Sequence, residues 1–346
     1  MKTFDRAFEF VRNLVRTGVL PTAVFGVADA NTVLDLQAFS PHNLDCREDS
    51  IYHLFSVTKP FIGLALCQLW ERGQLNLHEP VTKYIPDFGS RRTDTVSIWH
   101  LLTHTSGIDQ TFGELLSAPP DDDSAPFTAH QVLVSAPMQT PAGAYKLYNN
   151  LAFTALQEII EKVSGQTLYD YLEQNIFGPL HMADTSFSKL DEVPERVMHT
   201  QNAQIFNYAH YLKAKAPSGG LFGSVPDLLK AGQCLLNNGT AHDAAQSQRI
   251  IGAHTLRAMT TPQTLGIPVM RPAQEFVGTE VGLTFMLPVT STTYINKNFY
   301  GHGGWGGCMF YVYPAEGLTF ALGTNYLDIW SKFDLDRLHN VFAGCL

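Results

Sequence analysis

The 346-residue chain is predicted to have an α+β fold (an α/β sandwich), in which an antiparallel sheet from both chain ends is flanked by helices. Strand-like segments lie near both termini, and segments with helical periodicity fill the middle of the chain. The length also exceeds the size at which one hydrophobic core usually keeps growing. We therefore expect a discontinuous sheet domain of residues 1–55 and 215–346, with a mainly helical lobe of residues 56–214 inserted between its halves.

The N-terminal segment predicts a helix followed by a hairpin. Apolar side chains recur at helical spacing in the first fifteen residues: Phe4, Phe8, Val11 and Val15. This spacing indicates an amphipathic helix packed on the body of the protein. Residues 23–28 and 33–38 are strand-like and flank the turn-forming residues 29–32, which is typical of a β-hairpin.

The middle of the chain reads as helices separated by one long irregular stretch. Helices are predicted over four segments: 98–102, 151–163, 168–176 and 224–236. Ser97 is the expected N-cap of the first of these, and Ser224 with Asp227 suggests a capping box for the last. Residues 108–141 lack helical or strand periodicity, and we expect an exposed loop at the mouth of a site.

The last third of the chain returns to strand-like sequence. Residues 281–285, 308–313 and 318–322 are predicted as strands, and residues 314–317 form a hairpin turn between the last two. A final helix is expected over residues 327–342.

Composition and charge exclude several classes of function. The chain is 45% hydrophobic and 16% charged, which is ordinary for a soluble globular protein. A net charge of -9 argues against nucleic acid or an anionic membrane surface as the main partner. No segment is long and apolar enough to predict a membrane span.

The cysteines and the N-terminus bear on location. The five cysteines are odd in number and scattered, without a Cys-x-x-Cys pair: Cys46, Cys67, Cys234, Cys308 and Cys345. Reduced thiols are the expected state. The first fifteen residues are charged throughout and lack the apolar stretch of a secretory signal. A cytoplasmic location is the resulting expectation.

The first candidate for chemistry is a serine three residues before a lysine, at the start of a run of apolar residues. Positions i and i+3 share a helix face, so the Ser56 hydroxyl and the Lys59 amine are expected to meet. A neighbouring proton acceptor makes serine nucleophilic. Ser186 and Lys189 repeat the spacing, but a polar, proline-broken segment follows them. The apolar context therefore favours Ser56.

Two further stretches suggest partners for such a nucleophile. Tyr148 and Asn150 form a Tyr-x-Asn pattern before a predicted helix, where tyrosine can relay a proton and asparagine can bind a carbonyl. The same pattern at Tyr294 and Asn296 lies in a polar stretch, and the pattern alone favours a turn over a catalytic role. Residues 301–307 are rich in glycine and can present backbone N–H groups as an oxyanion hole, although alone they read as a glycine turn.

No metal site and no cofactor are expected. His100 and His104 are four residues apart, a spacing that can hold zinc. Leu101 stands where a His-Glu-x-x-His site has its glutamate, and Asp109 is the only nearby carboxylate in the sequence.

Taken in order, these stretches resemble the serine β-lactamase and penicillin-binding-protein-like family, in its branch of class C β-lactamase-like esterases and D-peptidases. The resemblance extends over about residues 20–325. The matching segments are 55–59, 101–108, 141–150, 161–165, 178–185, 218–221 and 301–304. Ser186 and Tyr294 fall outside this pattern, so the resemblance also separates each motif from its second copy.

The resemblance implies a β-lactamase/transpeptidase-like fold with its site in the cleft between sheet and helical lobe. It implies that Ser56 is the acylated nucleophile, that Lys59 accepts its proton, and that Tyr148 is the general base and acid shared by acylation and deacylation. Asn150 would hold the substrate carbonyl or Lys59.

The glycine-rich stretch carries the remaining implied roles. The resemblance makes the backbone N–H groups of Ser56 and Trp305 the oxyanion hole, with Gly304 and His302 lining the substrate site. Penicillin-active members carry a lysine where this chain has His302, and histidine is mostly neutral at pH 7. This departure moves the expectation from β-lactams towards esters, thioesters or amides.

The leading expectation is a serine hydrolase or acyltransferase of carboxylesterase type, acting on a small-molecule acyl substrate through an acyl-Ser56 intermediate. A D-stereospecific peptidase or amidase, or a weak β-lactamase, is the alternative within the same chemistry. A catalytically inactive binding protein on the same fold is the alternative from another class. Retention of Ser56, Lys59, Tyr148 and Asn150 argues against it.

Overall fold

The computed structural model describes seven stretches of the chain: residues 3–41, 45–89, 95–111, 128–205, 208–242, 247–270 and 278–346. The α-helices are α1 Asp5–Arg16, α2 Thr58–Glu71, α3 Ile98–Leu102, α4 Ala129–Ser135, α5 Leu151–Ser164, α6 Leu168–Leu172, α7 Lys189–Glu192, α8 Tyr208–Ala214, α9 Val225–Leu236, α10 Ala253–Met259, α11 Ile329–Lys332 and α12 Arg337–Ala343. The strands are β1 Ala23–Asp29, β2 Val33–Phe39, β3 Ile51–His53, β4 Phe222–Ser224, β5 Thr240–His242, β6 Ser247–Arg249, β7 Glu280–Val281, β8 Met286–Leu287, β9 Tyr300–Gly303, β10 Met309–Tyr313 and β11 Leu318–Thr324.

A seven-stranded antiparallel sheet joins the two ends of the chain. Its strand order is β2-β1-β11-β10-β9-β8-β7. β1 pairs with the hairpin strand β2 on one side and with β11 on the other, where Ala23 lies opposite Thr324. The predicted sheet from both termini is confirmed, as are the first hairpin and the turn between β10 and β11.

The two faces of the sheet pack against different helices because successive side chains of a strand point to opposite faces. On one face, the Phe8 ring of α1 lies 4.8 Å from the Phe25 ring of β1. On the other face, the Phe61 ring of α2 stacks 6.2 Å from the Phe310 ring of β10. Two separate apolar clusters result, one beneath α1 and α12 and one beneath α2 and α9.

Between residues 56 and 214, the regular secondary structure of the described segments is helical, apart from isolated bridges. The helix α2 packs against α5 and is buried from Thr58 to Leu69. A helix that is buried on all sides needs apolar residues all round, which explains the uninterrupted apolar run after Lys59.

Several predicted elements differ in the structure. Ser56 lies in a 3-10 turn, Phe55–Val57, and α2 begins at Thr58. The helix predicted over 168–176 ends at Leu172 and continues as a π-helical turn, Glu173–Phe177. Of the stretch predicted to be irregular, residues 129–135 form α4, and residues 112–127 lie outside the described residues.

The predicted strand 281–285 is wrong, because the chain turns back between β7 and β8. A Cβ at Gly282 would lie 2.0 Å from the Met259 carbonyl oxygen, so the backbone there approaches α10 more closely than an extended strand with side chains allows.

The predicted final helix 327–342 is broken into α11 and α12. Phe333 is extended, and the Asp334 carboxylate accepts a hydrogen bond from the Asp336 N–H. Such a local bond competes with helix continuation. In the described parts of the chain, no helix combines the length and apolarity needed to cross a membrane.

Candidate active site

The short turn that carries Ser56 follows directly after β3. Phe55 adopts a φ of +48°, an uncommon conformation for a bulky residue, and its ring stacks on His53 at 3.9 Å. The Phe55 ring also stacks on Tyr211 of α8 at 6.1 Å. These contacts hold the turn in a strained conformation that leaves Ser56 half-buried at the start of α2.

Two hydrogen bonds converge on the Ser56 hydroxyl. Lys59 Nζ donates to Ser56 Oγ at 2.9 Å, and Tyr148 OH donates to the same oxygen at 2.8 Å. The 3-10 turn keeps the i, i+3 relation between serine and lysine, so the predicted meeting of the two side chains is confirmed. A hydroxyl placed between two groups that can exchange protons is suited to act as a nucleophile.

Lys59 is fully buried and held in place on several sides. Besides Ser56, its ammonium donates to the Ser218 carbonyl oxygen at 2.7 Å. It also lies 4.8 Å from the centre of the Tyr148 ring and 5.1 Å from that of Phe153. Aromatic faces and a carbonyl oxygen compensate in part for the loss of water around the ammonium.

The loop that carries Tyr148 is anchored by its neighbours in sequence. The Leu147 N–H donates to the His104 carbonyl oxygen at 2.8 Å. Two residues before Tyr148, Lys146 forms a buried ion pair with Glu280 at 2.8 Å, and Thr264 Oγ1 also donates to that carboxylate at 2.7 Å. The tyrosine therefore sits on a loop whose backbone and side chains are both fixed.

His104 packs face to face against Tyr148, with 4.5 Å between ring centroids and 23° between planes. His104 Nδ1 accepts a hydrogen bond from the Asn149 N–H at 3.0 Å. Burial, then the charge of Lys59 and the proximity of His302, lower the pKa of His104 well below its usual value. His104 is therefore a neutral ring beside the tyrosine.

The end of β9 forms the third wall of the site. A Cβ at Gly304 would lie 2.2 Å from the Leu54 carbonyl oxygen, so glycine lets this strand approach the Ser56 turn. Trp305 follows, 37% exposed, with its ring edge-on to Phe55 at 6.1 Å. The His302 ring is buried 6.1 Å from the Tyr148 ring.

Asn150 is placed differently from the other predicted residues. It precedes α5, and its backbone N–H donates to Gln110 Oε1 at 2.6 Å. The hydrogen bonds described at Ser56 Oγ come from Lys59 and Tyr148. Its neighbour Asn149 is buried, and its side chain bonds the backbone of Ile108.

The second copies of both motifs lie in unrelated surroundings. Lys189 forms an ion pair with Glu192 at 2.5 Å, and Ser186 Oγ also points to that glutamate. Tyr294 packs edge-on against Phe299 in the cluster beneath α1 and α12. Only the copies at Ser56 and Tyr148 converge on each other.

The two histidines considered for zinc have separate roles in the structure. His100 Nδ1 bonds Ser97 in the capping box of α3, whereas His104 stacks on Tyr148. Within the described ranges, no group of three or more His, Cys, Asp or Glu side chains is arranged to hold a metal ion.

Sequence reasoning gave no role to several residues that build the site. His53 is buried between the Phe55 and Phe222 rings and bonds the Gly219 carbonyl oxygen at 2.9 Å. Ser218 supplies the carbonyl that binds Lys59. The available signal was the Ser-Gly-Gly stretch at 218–220, which the resemblance included without a role.

A family model and several curated relatives match the chain. A family model described as Beta-lactamase matches residues 8–340. Esterase EstB of Burkholderia gladioli is 30% identical over 253 residues, which cover 60% of this chain and 64% of the esterase, less than two thirds of its length. A putative D-alanyl-D-alanine carboxypeptidase of Escherichia coli (strain K12) is 25% identical over 80% of this chain and 69% of its own.

A solved structure extends the comparison to the whole fold. A novel penicillin-binding protein homolog from Caulobacter crescentus superposes with a TM-score of 0.78 at 20% identity, over 99% of this chain and 97% of the other. The fold is therefore that of β-lactamases and transpeptidases, as the sequence resemblance implied. With a family model matched from residue 8 to residue 340, the chain belongs to the β-lactamase family.

Proposed function

We propose that this chain is a serine hydrolase that cleaves small-molecule esters through an acyl-Ser56 intermediate. The observation that carries the proposal is the convergence of Lys59 Nζ and Tyr148 OH on Ser56 Oγ, at 2.9 and 2.8 Å. Both groups are within the distance that general base catalysis requires.

In the proposed acylation step, the Lys59 and Tyr148 pair starts one proton short of an ammonium and a phenol together, as a tyrosinate beside the ammonium or a neutral amine beside the phenol. Ser56 Oγ attacks the substrate carbonyl carbon, and its proton fills this vacancy in the pair. The two groups act as a coupled pair, so the base is assigned to both rather than to either one. The tetrahedral intermediate then collapses, the bond to the alcohol oxygen breaks, and Tyr148 returns a proton to that oxygen. The acyl group stays on Ser56.

Negative charge on the former carbonyl oxygen needs donors aimed at it in advance. We assign these donors to the backbone N–H groups of Ser56 and Trp305. The close approach of Gly304 to Leu54 supports this assignment, because it brings the end of β9 against the turn that carries Ser56. Asn150 and His302 are assigned to substrate binding at the edge of the same cleft.

Deacylation reverses these roles with a second nucleophile. Tyr148 takes a proton from water, the oxygen attacks the acyl carbon, and Ser56 Oγ leaves with the proton returned by the Lys59 and Tyr148 pair. An alcohol in place of water gives acyl transfer by the same steps. Whether the chain hydrolyses the acyl group or transfers it therefore depends on which acceptor, water or an alcohol, binds in the cleft.

The relative EstB supports ester substrates, since it is named an esterase and is 30% identical. The relative from Escherichia coli, named a putative D-alanyl-D-alanine carboxypeptidase, supports amide cleavage as the second candidate. The neutral His302 favours the ester reading, because burial and the Lys59 charge lower its pKa to about 3 and leave no cation there for a carboxylate.

The test is intact-protein mass spectrometry after exposure to a fluorophosphonate, with Ser56→Ala and Ser186→Ala as variants. We expect an adduct on wild type and on Ser186→Ala, which carries the second copy of the motif, and none on Ser56→Ala. Absence of a wild-type adduct, or an equal adduct on Ser56→Ala, would show that Ser56 is not the nucleophile.

Initial rates with a p-nitrophenyl ester, a chromogenic cephalosporin and a D-alanyl amide then rank the activities. We expect the ester to be cleaved fastest. Faster cleavage of the amide would move the assignment to a D-peptidase, and adduct formation without turnover of any of the three would favour a binding protein that keeps a reactive serine.

For location, we propose a reducing compartment such as the cytoplasm. All five cysteines are free thiols, and three of them are buried: Cys67, Cys234 and Cys308. Free thiols are usual where glutathione keeps cysteines reduced. Fractionation of the native host checks this proposal, which recovery of the protein outside the cytoplasm would overturn.

A further inference from the structure

Trp330 of α11 contacts the turn that connects β9 to β10. Its indole Nε1–H donates a hydrogen bond to the Gly304 carbonyl oxygen at 3.1 Å. The half-buried ring also lies against the end of β9, where a Cβ at Gly303 would be 3.3 Å from Trp330 Cζ2. The bond joins residues that are 26 positions apart in the sequence, so the tertiary fold places this donor at the edge of the proposed site.

Two further bonds hold the same turn to the segment that carries Trp330. The Asp328 N–H donates to the Trp305 carbonyl oxygen at 3.2 Å. The Tyr326 N–H donates to the Gly306 carbonyl oxygen at 3.1 Å. Both donors belong to the backbone, whereas the bond from Trp330 comes from a side chain. A substitution at position 330 therefore removes one member of this contact selectively.

The geometry of the peptide group links Trp330 to the proposed oxyanion hole. The Gly304 carbonyl and the Trp305 N–H belong to one planar trans peptide group, in which the two bonds point in opposite directions. A donor that fixes the carbonyl therefore also fixes the direction of the N–H. Hydrogen bonds in a chain polarise one another, so the bond to the carbonyl also makes the N–H a stronger donor.

The turn that Trp330 holds lies against the residues that precede Ser56. A Cβ at Gly304 would lie 2.2 Å from the Leu54 carbonyl oxygen, and the Trp305 ring is edge-on to the Phe55 ring at 6.1 Å. Electrostatic stabilisation of a transition state depends on donors that are aimed before the reaction begins. A group that sets the direction of the Trp305 N–H therefore affects the reaction without touching the substrate.

We propose that Trp330 is a positioning residue, whose indole N–H holds the Gly304 carbonyl so that the Trp305 N–H is aimed at the substrate oxygen that becomes negative. This inference rests on the proposed function, since Trp330 acts through the oxyanion hole assigned there. It predicts that loss of the indole N–H weakens binding of the transition state and leaves binding of the substrate nearly unchanged.

The test compares wild type with Trp330→Phe, which keeps an aromatic ring and removes the N–H. The substrates are p-nitrophenyl acetate and its thionoester, in which sulfur replaces the carbonyl oxygen. Sulfur is a weak hydrogen-bond acceptor, so aimed donors favour the ester, and the ratio of the two kcat/KM values reports their effect. We expect kcat for the ester to fall about tenfold with KM little changed, and the ratio to fall by a similar factor.

A matched control is Trp99→Phe, which removes another indole N–H. Trp99 Nε1–H donates to Gln263 Oε1 at 3.3 Å, and Trp99 is half-buried like Trp330. This variant should keep the wild-type kcat and the wild-type ratio. A second change at position 330 introduces 3-benzothienylalanine, which has sulfur in place of the indole N–H and otherwise nearly the same shape. It should reproduce the effect of Trp330→Phe, and it decides the test if Trp330→Phe does not fold.

Several results would overturn the inference. Equal loss of rate on ester and thionoester would show that the Trp330 ring acts through packing alone, and unchanged rates on both would show that its hydrogen bond has no effect. Equal kcat/KM values for the two substrates in wild type would contradict the oxyanion hole itself. If wild type gives neither a fluorophosphonate adduct nor ester cleavage, the proposed function fails and the role of Trp330 fails with it.

Discussion

The imidazole of His104 and the phenol ring of Tyr148 lie face to face, 4.5 Å apart at 23°. His104 reaches this position with a φ of +57°, and its Nδ1 is fixed by the Asn149 N–H, one residue beyond the tyrosine. The His104 ring therefore limits the orientation of Tyr148 from one side. Lys59 Nζ lies 4.8 Å from the centre of the Tyr148 ring.

Replacement of His104 by asparagine should slow the reaction without preventing folding. Asparagine tolerates a positive φ, so the backbone is kept while the stacked ring is lost. A small misplacement of a reacting group can cost up to about a hundredfold in rate. We expect kcat for a p-nitrophenyl ester to fall about tenfold to a hundredfold, with KM little changed. His100→Gln should keep the wild-type kcat, and an unchanged kcat in His104→Asn would contradict a positioning role.

The adjacent residues Gly303 and Gly304 differ in how closely their backbones approach other atoms, so alanine at each position tests the effect of this approach. Gly304→Ala would place a methyl group 2.2 Å from the Leu54 carbonyl oxygen, so β9 and the Ser56 turn must move apart. In Gly303→Ala the nearest atom is Trp330 Cζ2 at 3.3 Å, which a small shift relieves. We expect at least about a hundredfold loss of kcat/KM for the first variant and a much smaller loss for the second. Equal losses of kcat/KM would show that the close approach of Gly304 to Leu54 is not the cause of the loss.

The buried ion pair between Lys146 and Glu280 should matter for stability. Lys146→Met leaves the Glu280 carboxylate buried with Thr264 as its remaining side-chain donor. Loss of one partner of a buried pair costs about 3–5 kcal/mol in the free energy of unfolding. Urea unfolding checks this value. The double variant Lys146→Met/Glu280→Met should be more stable than Lys146→Met alone.

A control comes from the more exposed pair of Lys83 and Glu79, whose atoms lie 2.6 Å apart, compared with 2.8 Å in the buried pair. Lys83→Met should leave the unfolding midpoint nearly unchanged, because exposed ion pairs contribute little. If Lys146→Met lowers the free energy of unfolding no more than Lys83→Met does, burial of the Lys146 and Glu280 pair does not affect stability and the expectation is wrong.

His130 links two carboxylates on different elements and should make stability depend on pH. It lies 2.9 Å from Asp87 and 3.0 Å from Glu158. Hydrogen bonds to Glu158 and Asp87 raise the pKa of His130, whereas burial raises the pKa of Glu158 in spite of His130. The charged imidazole therefore stabilises the fold fully below the usual histidine pKa of 6.5, and this stabilisation is lost as pH rises through the raised pKa.

The measurement is urea unfolding of wild type and His130→Gln at a series of pH values. The difference between them should be largest below pH 6.5 and should shrink at higher pH, with a size below about 1 kcal/mol because the side chain is 42% exposed. A difference that grows with pH would have the wrong sign and would exclude this role.

The sequence allowed prediction of features whose causes are local. The meeting of Ser56 with Lys59 follows from helical spacing, and α5 follows from periodicity and its closing glycine. Prediction failed where contacts between segments far apart in the sequence determine the local structure. The pairing of β3 with β4 joins residues 51–53 to 222–224, and the turn at Gly282 depends on contact with α10. Local patterns carry no information on either contact.

The orientation of the side chains around Ser56 also could not be predicted from the sequence. His104 was considered for zinc because of its spacing from His100, whereas in the fold it stacks on Tyr148. The spacing places both histidines on adjacent turns, but the positive φ of His104 turns the chain away from the helix at that residue.

The pairing of β1 with β11 has a consequence for biosynthesis. Thr324 Oγ1 bonds the Thr22 carbonyl oxygen, 302 residues away in sequence. Ser56, Lys59 and Tyr148 leave the ribosome well before the strand at the edge of their cleft, because β9 begins only at Tyr300. A chain interrupted before β9 lacks the strand to which the proposed oxyanion hole is assigned, so the proposed activity can arise only after β9 has been made.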